Sequence, residues 1–433
     1  MQVYSIIILL IGLLLYTHNE VIASMKPNDI RKHLGSRTPY RFRSNKNDTR
    51  IKYPDCKDAK IWMVIRHGTR LPGYKDILGA NTTLTELKFE ILFHHKHGRG
   101  QLKKEQLERL REWSSNIDID QDRYLTLEGQ EEMILLAERM HNRFPNAVKD
   151  KYTNRTFLFR YTATQRAQQS ARYFVNGLFE RKDAQNVTFA PVVKIDPVLR
   201  FYKHCDKWQT QVKKNPDTYK EQRLYSISQE MNETLESVSK RLGFSGVLSL
   251  DQVNIMYKIC GYETAWNKYF KSPWCYAFDE KSIQVFEYYH DLKHYWVDGY
   301  GYDLTFRQAC VSIKNMFDNF SGEDGPRATF LFAHSGTVLK ILTHMQLYKP
   351  ESPLTGEALV KDRPWRTSNI DCFAANLAFV LFKCKDGDRV LTLHQEHVIK
   401  LPMCDQELCR LDHLLEHFRE SIYNCNYTDM CSL

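Results

Sequence analysis

Three short apolar segments that end in polar residues predict the strands of a buried sheet. They cover residues 61–65, 156–159 and 328–333. Apolar runs of this length, bounded by polar residues, are typical of buried strands. Because α/β sheets bind ligands beyond the carboxyl ends of their strands, we expect the polar residues that follow these segments to line one pocket.

Amphipathic segments between these strands predict helices, which cover residues 83–93, 103–113, 126–144, 167–179 and 338–345. Thr126 is a candidate N-cap of the third helix, and Thr162 or Thr164 of the fourth. The pattern of strands and helices predicts an α/β sheet.

A long stretch without strand–helix alternation interrupts this pattern. Residues 200–300 are mostly helical, polar and aromatic, which predicts an α-helical cap inserted into the large lobe. We place the cap at roughly residues 190–300, with part of 75–120, inside a single unit of residues 24–433. Residues 24–55 are basic and polar with little periodicity, and we interpret them as a lead-in.

The loop after the first strand contains a candidate nucleophile, His67, between Arg66 and Arg70. Positive charges close to an imidazole lower its pKa, and the neutral ring is the nucleophilic form. Guanidinium groups also match the oxygen geometry of a phosphate or a carboxylate. The alternative is a surface loop rich in charge.

Two further residues are expected on the same rim. Arg166 lies near the predicted start of helix 167–179, where backbone N–H groups and the helix dipole favour an anion, although a surface salt bridge would also explain it. His334 follows the third strand as His67 follows the first. A lone His334 would be typical of a structural histidine, but its convergence with the arginines favours a functional site.

Net charge and the amino-terminal segment give information about the partner and the location of the protein. The chain of 433 residues has a net charge of +9, and an apolar block at residues 5–16 predicts a signal peptide over residues 1–23. Cleavage would remove Glu20 and no basic residue, so the charge would rise from +9 to +10. The charge favours an anionic partner without saying which. We expect no stable membrane span after cleavage, and an uncleaved anchor is the alternative.

Sequons and cysteines also indicate the secretory pathway, with the protein either secreted or held in the endoplasmic reticulum lumen. The sequons lie at Asn47, Asn81, Asn154, Asn186, Asn232, Asn319 and Asn426.

Eleven cysteines leave at least one thiol unpaired. Cys404/Cys409 and Cys425/Cys431 are close enough for local bridges, and Cys260/Cys275 could close a longer loop, but spacing alone does not determine the connectivity. No CxxC pair is present, and we interpret the basic cluster at residues 94–99 as a solvated turn rather than a metal site.

At these motifs the sequence resembles the histidine acid phosphatases. Their RHGxR signature corresponds to Arg66 through Arg70, and the segment FRYTATQRAQQSARYF at 159–174 is similar to the one that supplies a further phosphate-binding arginine, here Arg166. Within this family the chain most resembles the multiple inositol polyphosphate phosphatases. That likeness rests on DLKHYWVDGYGY at 291–302 and on WRTSNIDCFAANLAFVLFKC at 365–384.

The resemblance implies a fold, a mechanism and a substrate class. The fold would have two lobes, an α/β lobe with helices flanking a mostly parallel central sheet and an α-helical cap, with the pocket between them. The partner would be an anionic small molecule and not a nucleic acid. His67 would attack phosphorus and form a phosphohistidine, while Arg66, Arg70, Arg166 and His334 neutralise charge on the phosphoryl oxygens, with no metal or other cofactor. The substrate would be an inositol polyphosphate of the phytate type. The basic residues Lys75, Arg99, Lys103 and Lys104 fit such a ligand, unless they are only solvated charge.

One position departs from the family pattern. The second histidine is normally followed by a proton donor, either an aspartate next to it or, in the inositol phosphatases, a glutamate two positions on. Ser335 and Gly336 occupy those positions here, so the proton donor is unidentified. The alternatives are therefore a broad-specificity acid phosphatase and a catalytically impaired inositol-phosphate binder.

Overall fold

The computed structural model describes residues 29–115, 117–149, 151–322 and 325–433. The predicted signal peptide over residues 1–23 lies outside these ranges. No helix within them is long and apolar enough to cross a membrane.

One seven-stranded sheet organises the described residues. Its strands are β1 Cys56–Arg66, β2 Phe157–Tyr161, β3 Ala328–Ala333, β4 Asn376–Cys384, β5 Gly387–His394, β6 His397–Ile399 and β7 Leu408–Arg410. The order is β2-β3-β1-β4-β5-β6, and β7 also pairs with β5. Strands β2, β3 and β1 run parallel, as predicted, whereas β4 to β7 extend the sheet with antiparallel pairs. The α/β prediction and its parallel core are confirmed.

The helices are numbered in chain order. They are α1 Tyr74–Gly79, α2 Thr85–Lys96, α3 Lys104–Glu112, α4 Leu127–Arg143, α5 Gln165–Leu178, α6 Arg181–Gln185, α7 Phe201–His204, α8 Asp206–Trp208, α9 Lys220–Ser226, α10 Gln229–Leu242, α11 Leu250–Trp266, α12 Glu280–Asp298, α13 Asp303–Arg307, α14 Cys310–Ser321, α15 Ser335–His344, α16 Thr367–Ile370, α17 Leu411–His417, α18 Arg419–Tyr423 and α19 Tyr427–Cys431. Short 3-10 and π turns connect several of them.

The alternation of side chains along β1 divides the core into two layers. Ile61, Met63 and Ile65 face the layer that contains apolar side chains of α4 and α5. Trp62 and Val64 face the other layer, which contains side chains of α14 and α15 and of helices α7 to α12. Both faces are apolar because the sheet is covered on both sides, which explains why β1 is a continuous apolar run rather than an alternating one.

The long connection from β2 to β3 is helical over most of its length, as the pattern of residues 200–300 predicts. Helices α5 to α14 all lie in it, and α1 to α3 lie between β1 and α4. The borders of the cap, and the single unit of residues 24–433, stay predictions.

The lead-in interpretation of residues 24–55 is wrong for part of that stretch. Residues 29–43 contain three 3-10 turns, and within them Leu34 and Tyr40 are buried. The Tyr40 hydroxyl donates to a carboxylate oxygen of Glu396, 2.5 Å away. The segment is therefore part of the core, which its polar composition does not predict.

Five disulfides correct one expectation about the cysteines. The Cys260–Cys275 and Cys404–Cys409 bridges are confirmed. The Cys425/Cys431 pairing is wrong, because Cys425 bonds to Cys310 and Cys431 bonds to Cys205. The fifth bridge, Cys56–Cys384, joins partners across the β1–β4 pair, and the thiol of Cys372 is free and buried.

Candidate active site

The two strand-end histidines are neighbours because their strands pair in parallel. Arg66 and Ala333, the last residues of β1 and β3, are direct partners in the register. The backbone N–H of His67 donates to the carbonyl of Ala333 over 3.2 Å. The ring centroids of His67 and His334 consequently lie 5.6 Å apart.

The end of β2 adds two groups to this pair. The Thr162 hydroxyl lies 2.9 Å from Nε2 of His334, and Nη2 of Arg166 lies 3.5 Å from Nδ1 of the same ring. Thr164 is the N-cap residue of α5 by its backbone, but its side chain makes no capping hydrogen bond. By contrast, the Thr126 hydroxyl caps α4 as predicted, accepting from the N–H of Gly129.

The hydrogen bonds of the two rings define their tautomers. Nδ1 of His67 lies 2.9 Å from the carbonyl of Gly68, and a carbonyl oxygen only accepts, so Nδ1 carries the proton. In the neutral ring, Nε2 of His67 then holds the free lone pair. Arg166 only donates, so Nδ1 of His334 accepts and its Nε2–H donates to Thr162.

Both rings are held neutral. Burial and the charges of Arg166, Arg66 and Arg70 lower the pKa of His67 well below its usual value. Burial, followed by Arg166 and Arg200, lowers the pKa of His334 in the same direction. This agrees with the nucleophile argument from the sequence, and it adds burial as the larger cause.

Four arginines around the histidines lack full compensation. Among the described residues, the buried Nε atoms of Arg66, Arg70, Arg166 and Arg200 have no hydrogen-bond partner. No carboxylate in the described part of the chain lies within salt-bridge distance of Arg70, Arg166 or Arg200. The guanidinium of Arg160, by contrast, pairs with Asp196 at 2.6 Å.

Burial and the repulsion between these cations affect the pKa of Arg166. Burial and the neighbouring charges of Arg70, Arg123 and Arg200 lower the pKa of Arg166 to about 9. Clustered, partly desolvated cations of this kind are unfavourable by themselves and become favourable when an anion binds between them. The cluster is therefore suited to an oxyanion.

Arg66 is held differently from the other three. Its Nη1 donates to the carbonyls of Ser36, Asp371 and Cys372, at 2.7, 2.5 and 3.0 Å, and it lies 3.5 Å from a carboxylate oxygen of Asp371. The guanidinium also lies 4.9 Å from the centroid of the Phe373 ring. These backbone and ring contacts fix its orientation beside the pocket.

Close packing against α4 fixes the loop that carries His67. A Cβ atom added to Gly68 would clash with the carbonyl oxygen of Gly129, so no larger residue fits without moving backbone. Next to it, the N–H and the hydroxyl of Thr69 donate to the Glu132 carboxylate at 2.7 and 2.8 Å. The glycine of the RHGxR motif therefore permits a loop–helix contact, rather than an unusual backbone angle.

The structure brings together all five sequence-predicted site residues: Arg66, His67, Arg70, Arg166 and His334. Sequence reasoning missed Arg200, which precedes α7 and carries no motif. It also missed Asp371, although that residue lies within the family-like tract at 365–384. Lys75, Arg99, Lys103 and Lys104 are exposed, and the hydrogen bonds and ion pairs of the described residues link none of them to either histidine.

The basic cluster at residues 94–99 is the end of α2 and the turn after it. Nδ1 of His95 forms a hydrogen bond with the backbone carbonyl of Ile91, and Nδ1 of His97 forms one with that of Phe93. Within the described ranges, no group of three or more histidine, cysteine or carboxylate side chains is placed to hold a metal ion.

A sheet with two strand-end histidines inside an arginine cluster is the arrangement expected of a phosphate-handling α/β enzyme. The sequence profile of the Histidine phosphatase superfamily (branch 2) matches residues 60–401, and the chain belongs to that superfamily. The predicted family, and with it a histidine phosphatase enzyme, is confirmed.

Sequence similarity to named proteins extends over most of the chain. Multiple inositol polyphosphate phosphatase 1 from Drosophila melanogaster is 29% identical over 428 residues, which cover 96% of this chain and 91% of that protein. The human protein of the same name is 27% identical over 406 residues, covering 87% and 82%. Among solved structures, the phytase from D. castellii superposes with a TM-score of 0.73 at 16% identity, covering 93% of this chain and 88% of that one, which shows the shared fold.

Proposed function

We propose that this protein is a phosphomonoesterase that removes phosphate from inositol polyphosphates through a phosphohistidine at His67. The observation that carries the proposal is the arginine cluster: Arg70, Arg166 and Arg200 have no carboxylate partner in the described part of the chain and lie around the two neutral histidines. A dianionic phosphoryl group would supply the missing negative charge.

The chemistry follows from the tautomer of His67. Its Nε2 lone pair attacks phosphorus, the P–N bond forms, and the bond from phosphorus to the leaving oxygen breaks. Water then attacks the phosphohistidine, which releases phosphate and restores the neutral ring. The hydrogen bond from Nδ1 to Gly68 orients the ring and stabilises the positive charge that the imidazole develops during attack.

The cationic groups act on the phosphoryl oxygens. Arg70, Arg166 and Arg66 stabilise the charge that develops there, and His334 is held in place by Thr162 and Arg166 at the same rim. Because phosphoryl transfer depends chiefly on positioning and electrostatics, a preorganised cluster of this kind accounts for catalysis.

A substrate with several phosphates fits the surroundings of this pocket. Burial lowers the pKa of Lys203, and the charges of Arg200 and Lys213 lower it further. Burial and the charge of Lys213 also lower the pKa of Lys293. These effects indicate several positive charges near one another in the helical part of the chain. The names of the most similar relatives include multiple inositol polyphosphate phosphatase, which agrees with such a substrate.

Two alternatives have an observation of their own. A broad-specificity acid phosphatase is favoured by relatives such as the acid phosphatase of Schizosaccharomyces pombe, 22% identical over 398 residues. An impaired inositol-phosphate binder is favoured by Ser335 and Gly336, which cannot serve as ordinary carboxylic acids.

The protein is proposed to work in the secretory pathway, either secreted or in the endoplasmic reticulum lumen. Five disulfides are typical of proteins that fold in an oxidising compartment. Glycosylation at the sequons is part of the same prediction.

The direct test is release of phosphate from inositol hexakisphosphate, and its loss in His67→Ala. We expect this variant to lose more than about 10⁴-fold in kcat, because no other group can form the covalent intermediate. The matched control is His97→Ala, since His97 is exposed and its ring contacts only the carbonyl of Phe93 and nearby rings. It should keep the turnover of the unmodified protein.

Comparison with an aryl phosphate separates the alternatives. Preference for the inositol ester supports the proposed substrate class, and equal rates on unrelated esters would support the broad acid phosphatase. Tight binding of inositol hexakisphosphate without turnover of either ester would support the binder. Turnover that survives in His67→Ala would contradict the mechanism.

A further inference from the structure

The unidentified proton donor is a specific chemical problem. Departure of an inositol oxygen requires a proton, because an alkoxide is a poor leaving group, and a general acid typically contributes about 10²- to 10⁴-fold. Such an acid must lie beside the pocket, must be protonated at working pH, and must have a hydrogen-bonded route to the leaving oxygen.

Asp298, the carboxylate nearest to Gly336, does not meet these requirements. A Cβ atom added to Gly336 would lie 3.3 Å from Oδ1 of Asp298. That oxygen accepts from Nζ of Lys340 over 2.6 Å, and Oδ2 lies 3.1 Å from Nδ1 of His294. Although burial opposes it, Lys340 and His294 hold the pKa of Asp298 far below its usual value. Asp298 therefore stays charged and cannot donate a proton.

Asp371 has the opposite environment. Its side chain is fully buried, the Ser335 hydroxyl donates to Oδ2, and Oδ1 has no hydrogen-bond partner among the described residues. Oδ2 also lies 3.5 Å from Nη1 of Arg66. A buried carboxylate with one unpartnered oxygen is costly when charged and much less costly when protonated.

Ser335 connects this carboxylate to the pocket. Ser335 directly follows His334 at the start of α15. Its side chain is half-buried, whereas that of Asp371 is fully buried. A hydroxyl both donates and accepts, so it can pass a proton from a carboxylic acid behind it to an oxygen in front of it.

We propose that Asp371 is the source of the leaving-group proton and that the Ser335 hydroxyl relays it, an inference that rests on the phosphatase function proposed above. As the bond from phosphorus to the leaving oxygen breaks, that oxygen takes the Ser335 hydroxyl proton. In the acid form the carboxyl O–H of Asp371 donates to Ser335 along the same contact, the reverse of the direction for the carboxylate, and the Ser335 oxygen takes this proton at the same time. In the second step water gives its proton to Ser335, and Ser335 returns one to Asp371, so the protons balance over the cycle.

Neighbouring charges fit both protonation states of Asp371. Burial and the charge of Asp298 raise the pKa of Asp371, while Arg66, His294 and the Ser335 hydroxyl oppose this. The balance is upward, which keeps the acid form to higher pH than for an ordinary aspartate. Once the proton has left, Arg66 at 3.5 Å stabilises the carboxylate. The free thiol of Cys372 beside it is also kept neutral by burial, which raises its pKa.

The test is a comparison of leaving groups in Asp371→Asn and Ser335→Ala. An aryl phosphate has a good leaving group that needs little protonation, whereas inositol hexakisphosphate has an alkoxide leaving group. We expect the ratio of kcat on the inositol ester to kcat on the aryl ester to fall by at least about 10²-fold in both variants. The decline of inositol-ester turnover at high pH should also disappear in Asp371→Asn.

A purely structural role for Asp371 would lower both rates together. Arg66 keeps its backbone partners in Asp371→Asn, since they are the carbonyls of Ser36, Asp371 and Cys372. Asp412→Asn, at an exposed aspartate near the start of α17, is the matched control and should leave the ratio unchanged. Binding of inorganic phosphate reports whether each variant folds, and if Asp371→Asn does not fold, the Ser335→Ala ratio decides.

The outcomes separate this inference from the proposed function. An unchanged ratio in a folded variant overturns the relay and leaves the phosphatase function standing. Absence of turnover of both esters by the unmodified protein, with or without binding, overturns the proposed function itself.

Discussion

At the scale of single residues, the site combines neutral histidines with uncompensated arginines. Burial is the largest cause of the low pKa of His67, and Arg166 is the largest contribution from a charge. The same arginine contacts Nδ1 of His334. One guanidinium therefore adds to burial in keeping both rings unprotonated.

Replacement of Arg166 by glutamine should raise the pKa of His67 toward its usual value, because a positive charge no longer opposes protonation. NMR titration of the imidazole in phosphate-free protein measures this shift. We also expect a loss of about 10²- to 10³-fold in kcat, as for the removal of one oxyanion-stabilising donor.

Arg172→Gln is the control for this change, since Arg172 lies on the same helix with an exposed side chain. It should alter neither the titration nor the rate. A His67 titration that is identical in Arg166→Gln and the unmodified protein would mean that burial alone holds the ring neutral.

At the scale of elements, the loop after β1 depends on α4. Gly68 approaches the backbone of Gly129, and Thr69 donates twice to Glu132. Burial and the neighbouring Glu128 raise the pKa of Glu132 to about 7, even though the hydrogen bonds from Thr69 oppose this. The loop that positions His67 is thus held by a carboxylate that is costly to ionise.

This carboxylate makes stability depend on pH. Glu132 titrates near 4.5 in the unfolded chain and at about 7 in the folded one, so the folded state binds more protons between these values. The free energy of unfolding should therefore fall as the pH rises from about 4.5 to 7, by an amount on the order of 3 kcal/mol from this group. Glu132→Gln should flatten that decline in denaturant titrations.

Glu138→Gln is the matched control, because Glu138 is exposed on the same helix. Its pH profile of unfolding should follow that of the unmodified protein. A profile for Glu132→Gln that keeps the full decline would assign the pH dependence to another group.

At the scale of the whole molecule, disulfides fasten the carboxyl-terminal helices to the helical side of the fold. Cys431 in α19 bonds to Cys205, between α7 and α8, over a sequence separation of 226 residues. Cys425 bonds to Cys310 at the start of α14. The hydroxyl of Tyr427 adds a 2.5 Å hydrogen bond to the carbonyl of Phe201.

Loss of the Cys205–Cys431 bridge should destabilise the protein much more than loss of Cys404–Cys409. The sequence separations are 226 and 5 residues, and chain-entropy arguments make the longer loop worth about 3 kcal/mol more. Denaturant unfolding of the two double serine variants measures the difference. Equal losses would show that loop entropy does not govern these bridges.

The sequence predicted the parts of this site that depend on local pattern. The apolar runs before Arg66 and His334 identified two strands, and the polar residues after them identified the rim. Arg200 and Asp371 could not be found this way, because they come from a helix connection and from the segment before β4. Neither belongs to a periodic pattern, and each reaches the site only through the fold. The Cys425/Cys431 pairing failed for the same reason, since proximity in sequence does not fix proximity in space.

By itself, the sequence determined the α/β class, the family and the five residues that the fold gathers at the strand ends, because strands, helix starts and strand-end motifs are set by residues close together in the chain. Only the tertiary structure decided the tautomer of His67, the charge states of the buried groups and the carboxylate beside Ser335. These depend on burial and on distances between elements far apart in sequence. For that reason the contact between Ser335 and Asp371, on which the proposed relay rests, is visible only in the fold.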